Sequence, residues 1–124
     1  MNQETKEQIV DEVVWQIYEA YPWLSEKFGD NGRFRTAEDN FHHLNHLETA
    51  FQMDDPRFFL DYTKWLNDIL TSRNVGTELI VDNFERLVII LPGKLDDMRE
   101  KAFLYYLQQA LMTLHQLSGR GGVR

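Results

Sequence analysis

The sequence predicts an all-α domain of about five helices joined by short connections, and three observations carry that reading. Every long segment repeats its apolar residues at intervals of three and four, the period of a helix that buries one face. Proline and glycine fall between these segments rather than inside them, apart from the glycines near the end. No stretch reads as a strand, no internal repeat is visible and no linker divides the chain. At 124 residues, 43% apolar and 13% aromatic, the chain is long enough for one core. A single domain over residues 1–118 is expected, followed by a flexible tail over 119–124.

The first helix carries Ile9, Val10, Val13, Val14, Ile17, Tyr18 and Tyr21 as its buried stripe. Thr5 and Gln8 have capping-box spacing at its start, and Pro22 marks its stop. "FGDNG" then reads as a turn, with Gly29 and Gly32 supplying backbone freedom. The second helix is expected from Thr36, whose hydroxyl can cap the first turn while Asp39 follows three residues on. Its apolar stripe is Ala37, Phe41, Leu44, Leu47 and Phe51. Asp55-Pro56 suits a cap and first turn for a third helix, which buries Phe58, Phe59, Tyr62, Trp65, Leu66 and Ile69 before "SRNVG" ends it. A fourth runs from Thr77 to Pro92-Gly93 through Ile80, Phe84, Leu87, Val88 and Leu91. Asp97 with Glu100 opens a fifth, carrying Phe103, Tyr106, Leu107, Ala110, Leu111 and Leu114. The tail "SGRGGVR" has nothing to bury. Trp15, Trp23 and Trp65 are most simply core residues, although an aromatic-rich core can also line a pocket for a flat ligand.

Composition narrows the function. A net charge of −7 and a pI near 5.0 argue against a nucleic-acid partner, and no polybasic patch suggests a membrane surface. The absence of cysteine removes disulfides, thiolate metal sites and thioether-linked cofactors. The N-terminus lacks an apolar signal core and no run is long enough to span a bilayer, so a cytoplasmic setting is expected.

"RTAEDNFHHLNHL", from Arg35 to Leu47, holds three of the four histidines. On a helical wheel Asp39, His42, His43, His46 and Ala50 fall within about 100° of one another, roughly opposite Ala37, Phe41, Leu44 and Phe51. The histidines therefore face water or a second cavity rather than the main apolar seam. Three readings stay open: a wet face with a modest Asp39–His43 pair; a metal site built on His42 and His46 with Asp39 or His43 as third ligand, for which no partner helix completes a set; and the wall of a cofactor pocket. No Ser/His/Asp order, phosphate loop or catalytic carboxylate pair stands out, so no enzymatic activity is expected. His115 stands alone and reads as structural or exposed.

Four segments in order, "VVWQIYEAYPW", "RTAEDNFHHL", "DPRFFLDYTKWL" and "EKAFLYYLQQALMTL", resemble the phycobiliproteins, the light-harvesting branch of the globin superfamily. That family carries a Lys-Cys-Ala-Arg-Asp-like motif followed by paired aromatics and leucine. Here Arg35 stands at the lysine, Thr36 at the cysteine, Ala37 at the alanine, Glu38 at the arginine and Asp39 at the aspartate. His42 and His43 fall on the aromatics and Leu44 on the leucine. Tyr62 follows Asp39 at the spacing of the family's pocket tyrosine. The likeness runs from about Val13 to Leu114. The helices that assemble antennae are expected to be missing, so the chain is more similar to the compact bilin biosynthesis-associated globins. It is also similar to the globin-like module of photocobilin photoreceptors, and their vitamin B12-binding domain is expected to be missing.

The resemblance implies a globin-like bundle that binds a linear tetrapyrrole, biliverdin or a related bilin, as a carrier or light or tetrapyrrole sensor. Thr36 in place of cysteine implies that the bilin is held without a covalent bond. Glu38 in place of arginine removes a family contact to a propionate. Asp39 would hold the pyrrole nitrogens, a carboxylate accepting from N–H donors. Arg33 and Arg35 would pair with propionates, His42, His43 and His46 would line the pocket, and Tyr62 and Trp65 would pack the opposite wall. The alternative is a haem-binding globin with an axial ligand among His42, His43 and His46, since 55–95 contains no histidine. A non-haem globin-like sensor or interaction module is a third class. The expected partner is a small-molecule tetrapyrrole, with room for a homodimer.

Overall fold

The computed structural model describes the backbone of residues 1–122 and the side chains of 1–118. The described residues form five α-helices and no strand: α1 (Gln3–Ala20), α2 (Trp23–Met53), α3 (Pro56–Ser72), α4 (Thr77–Ile90) and α5 (Asp97–Gly122). The tail expected at 119–124 lies outside the described side chains, and its last two residues outside the described backbone.

Local chemistry explains most boundaries and corrects two. α1 starts earlier than a Thr5–Gln8 box would place it, because Asn2 accepts from the Thr5 N–H at 2.8 Å. Asparagine is the stronger cap. The expected turn at "FGDNG" shrinks to one residue. Helical geometry fails only at Gly29 (φ 61°, ψ −153°), a conformation essentially reserved for glycine, and α2 runs on as two segments across that kink. Thr36 consequently sits inside the helix. Its hydroxyl donates to the Gly32 carbonyl at 2.9 Å instead of capping a first turn. Asp54 in the left-handed region ends α2, and Asp55 caps α3 by accepting from the Arg57 N–H, with Pro56 in the first turn. At α5 the Asp96 carboxylate accepts from the Arg99 N–H, while Glu100 reaches back to the Gly93 N–H at 2.8 Å.

The core is built from Ile9, Val13, Leu44, Leu47, Phe59, Phe84, Leu87, Phe103 and Leu107, all fully buried. α5 packs on α2, α3 and α4, and α1 packs on α2 and α4. The three tryptophans are a correction: Trp15, Trp23 and Trp65 are 61%, 48% and 58% exposed. So is the seam of α2. Its buried line is Asn40, His43, Leu44, Leu47 and Ala50, while Ala37, Phe41 and Phe51 are only half-buried. Two polar residues occupy core positions that apolar periodicity cannot mark.

Asn40 is one of them. Its amide pairs reciprocally with Asn83 of α4: Asn40 Nδ2 donates to Asn83 Oδ1 at 3.0 Å, and Asn83 Nδ2 donates to Asn40 Oδ1 at 2.8 Å. Asn40 Nδ2 also donates to the Thr36 carbonyl. Asn83→Ala leaves the Asn40 carbonyl buried without a donor, a loss worth about 1–3 kcal/mol. Urea denaturation should show that loss, and Asn40→Leu combined with Asn83→Leu should cost less than the sum of the two single changes.

Candidate functional site

α2 and α3 are joined by a two-residue turn at Asp54 and Asp55 and so lie side by side as an antiparallel hairpin. Between them opens a groove of about 890 Å3. α2 contributes Asp39, His42 and His46 to it. α3 and its C-cap residue Arg73 contribute a continuous face, Phe58, Asp61, Tyr62, Trp65, Leu66, Ile69, Leu70 and Arg73, spaced three and four apart. The fifteen helical steps from Phe58 to Arg73 make that wall about 22 Å long. The volume falls in the range of about 300–1,000 Å3 typical of sites for small molecules.

One end of the groove is a ladder of rings. His46 stacks on Tyr62 with centroids 3.8 Å apart and planes 14° apart, and on Phe58 at 5.6 Å and 21°. Tyr62 continues to Trp65 at 6.2 Å. His46 Nδ1 lies 2.8 Å from the His42 carbonyl oxygen, which can only accept. Nδ1 therefore carries a proton and donates it to that carbonyl. The other end is aliphatic, with Leu66, Ile69 and Leu70 leading to Arg73.

His43 is not part of the groove wall, which corrects the expectation for that residue. It is 4% exposed and turned into the core, with its ring edge-on to Phe84 at 5.1 Å. Its Nδ1 lies 2.6 Å from the Tyr62 hydroxyl. Burial lowers its pKa to about 3, with His42 and His46 adding to the effect, so the ring is neutral at physiological pH. With the phenol donating, it is the Nε2–H tautomer. Tyr62 is thereby anchored from behind and offers the groove its ring. Burial, then Asp39, raises the Tyr62 phenol well above the usual tyrosine range, so it stays protonated.

Asp39 is one of three charged side chains lining the groove, with Asp61 and Arg73, and it is the one beside the ring ladder. Among the described residues its carboxylate has no hydrogen-bond or ion-pair partner. Shielding of the carboxyl raises its pKa, with His42 and Arg35 pulling the other way and Glu38 adding to the rise. A partly desolvated, unpaired carboxylate gains from any donor or cation brought to it.

Five expected residues, Asp39, His42, His46, Tyr62 and Trp65, therefore meet at one groove, and three do not. Arg33 lies over the Tyr18 ring at 4.7 Å, in a separate depression of about 380 Å3 that includes Trp15 and Glu19. Arg35 is exposed and does not line the groove. The guanidinium that does is Arg73, which the sequence reading passed over together with Phe58, Asp61, Leu66, Ile69 and Leu70 as groove residues. Their signal was available in the three-and-four spacing they share with Tyr62 and Trp65. Among the described residues no three His, Asp or Glu side chains converge as a metal-ligand set. None of the described helices is long and apolar enough to cross a membrane.

Fold and site together define an all-α bundle with a ring-lined, ligand-sized groove in its α2–α3 hairpin. Comparison with known protein families, characterised proteins and solved structures finds no match to this chain.

Proposed function

We propose that the chain binds a flat, conjugated and mostly apolar small molecule in the α2–α3 groove, and that this molecule is a linear tetrapyrrole such as biliverdin, held without a covalent bond. The observation that carries the reading is the coexistence, in one groove, of the Phe58–His46–Tyr62–Trp65 ring ladder and the unpaired Asp39 carboxylate. Stacked rings match an extended π-system. A carboxylate matches a row of pyrrole N–H donors, which need an acceptor once water is displaced. Arg73 supplies a cation for acidic side groups at the far end. Asp39 and Tyr62 also hold the two positions that the phycobiliprotein resemblance assigns to the pocket. The role is that of a cytoplasmic carrier or a sensor of light or tetrapyrrole, not of an enzyme.

Absorption spectra of the purified chain titrated separately with biliverdin and haemin test the proposal. Biliverdin should give a saturable change in its visible band and quench fluorescence from Trp65. The bound pigment should leave on acid denaturation, and a denaturing gel should show no zinc-induced fluorescent band. A response to haemin alone would make the chain a haem protein, and a response to neither would return the groove to an unassigned cleft.

A further inference from the structure

The outer face of α5 combines exposed large apolar side chains with few charges. Met98, Tyr105 and Met112 are 72%, 51% and 57% exposed and stand seven residues apart. That spacing sets them in one nearly straight stripe about 21 Å long. From Ala102 to Ser118 the sequence holds no Asp, Glu, Lys or Arg, in a chain where these types make 27% of residues. The exposed positions in that run are Tyr105, Gln108, Met112, His115, Gln116 and Ser118. By contrast, exposed charges recur along α1 (Glu4, Glu7, Asp11, Glu19), α3 (Arg57, Asp61, Lys64, Asp68) and α4 (Glu78, Glu85). Aromatic and methionine side chains in a charge-depleted field are the composition of an interface core, not of a solvated helix. None of these α5 residues lines the groove.

We propose that this face receives a second copy of the chain, with the two α5 helices antiparallel about a twofold axis at Tyr105. The spacing argues for a copy rather than a different protein. Met98 and Met112 lie equally far on either side of Tyr105, so reversal superimposes the stripe on itself, as an isologous contact requires. Met98 then meets Met112 of the partner subunit, and Tyr105 meets Tyr105 of the partner subunit. Lys101 falls beside Gln109 of the partner subunit, so no like charges are opposed. Charge permits the contact: each copy carries −7, but the run from Ala102 to Ser118 that would be buried between copies carries no Asp, Glu, Lys or Arg.

The test uses the full chain. Sedimentation equilibrium over roughly 1–100 μM, a range in which modest specific interfaces assemble, should show the mass rising from 14.8 kDa toward twice that value. A monomer throughout overturns the proposal, as does an open-ended series of larger species, which would mean a head-to-tail contact. Met112→Lys should weaken association at least tenfold with the helical circular dichroism unchanged; undiminished association overturns it. The chain has no cysteine, so single cysteines report geometry directly. Tyr105→Cys should give a disulfide-linked dimer on mild oxidation. Met98→Cys should link to Met112→Cys in a mixture but not to itself. Self-linking through Met98→Cys would mean a different axis and overturn the arrangement.

Discussion

Acidification from pH 7 to 4.5 is expected to cost the fold about 2–3 kcal/mol through His43, rising to about 4 kcal/mol by pH 3. The folded imidazole has its pKa depressed to about 3, against 6.5 for an unperturbed ring. Between those values the unfolded chain takes up a proton that the folded chain refuses. Stability therefore rises with pH across that window and is lost as pH falls from about 6.5. Protonation is refused because the ring is buried beside Phe84, has the Tyr62 hydroxyl at Nδ1 and has His42 and His46 on its own helix. Asp39 works in the opposite direction, since a carboxyl whose pKa is raised by folding gains stability on protonation. Glu48 enters later: Arg99 holds it at about 2, so its contribution is lost only below about pH 4.5. Glu48 therefore adds little between pH 6.5 and 4.5, where Asp39 opposes the fall set by His43, and the part of the drop that His43→Phe removes is the histidine's share. Urea midpoints measured at pH 7 and 4.5 should show the drop, and His43→Phe should flatten it. An NMR titration of the wild-type ring gives an independent reading. A His43 ring that titrates near 6.5 would contradict the buried, neutral assignment.

Asp39→Asn should have the largest effect on ligand binding. The substitution keeps shape and removes charge from a carboxylate that has no other partner among the described residues. On the tetrapyrrole reading it deletes one charge-assisted contact, worth about 1.5–3 kcal/mol, or roughly one to two orders of magnitude in affinity. The absorption band of the remaining complex should also shift, because the negative charge favours a protonated pigment. Thr36→Ala should leave the spectrum nearly unchanged, since that hydroxyl donates to the Gly32 carbonyl within its own helix. Equal affinity and an unchanged band in Asp39→Asn, measured by titration with biliverdin, would remove Asp39 from the site.

The fold was legible where local chemistry decides it. Pro22, Asp55-Pro56, Asn74-Val75-Gly76 and Pro92-Gly93 all mark breaks between helices, and the five apolar stripes account for most of the core. The misses are tertiary. "FGDNG" has the composition of a turn, yet it is compatible with a helix that breaks at a single glycine, and only packing selects between them. Trp65 has the size of a core residue, but α3 borders a groove on that side, so its ring is left on the wall. His43 shares a wheel sector with His42 and His46, and periodicity treats the three alike. The boundary between core and groove passes through that sector, placing His43 on one side and the other two on the opposite side. Arg33 and Arg35 are close to Asp39 in sequence, whereas Arg73 comes alongside the groove only through the α2–α3 hairpin.

The reciprocal amide pair of Asn40 and Asn83 has a consequence for aim. Successive α-helical residues point about 100° apart, so a slip of α2 by one position would swing a different set of side chains toward α3. Greasy contacts tolerate such a slip, because one leucine can replace another. Two interlocked amides cannot, since any other rotation leaves buried donors and acceptors facing hydrocarbon. The pair works as a keyway: it indexes the helix so that Asp39, His42 and His46 share the opening and His43 faces inward. What the groove can recognise is thus set in part by two asparagines that never touch its contents.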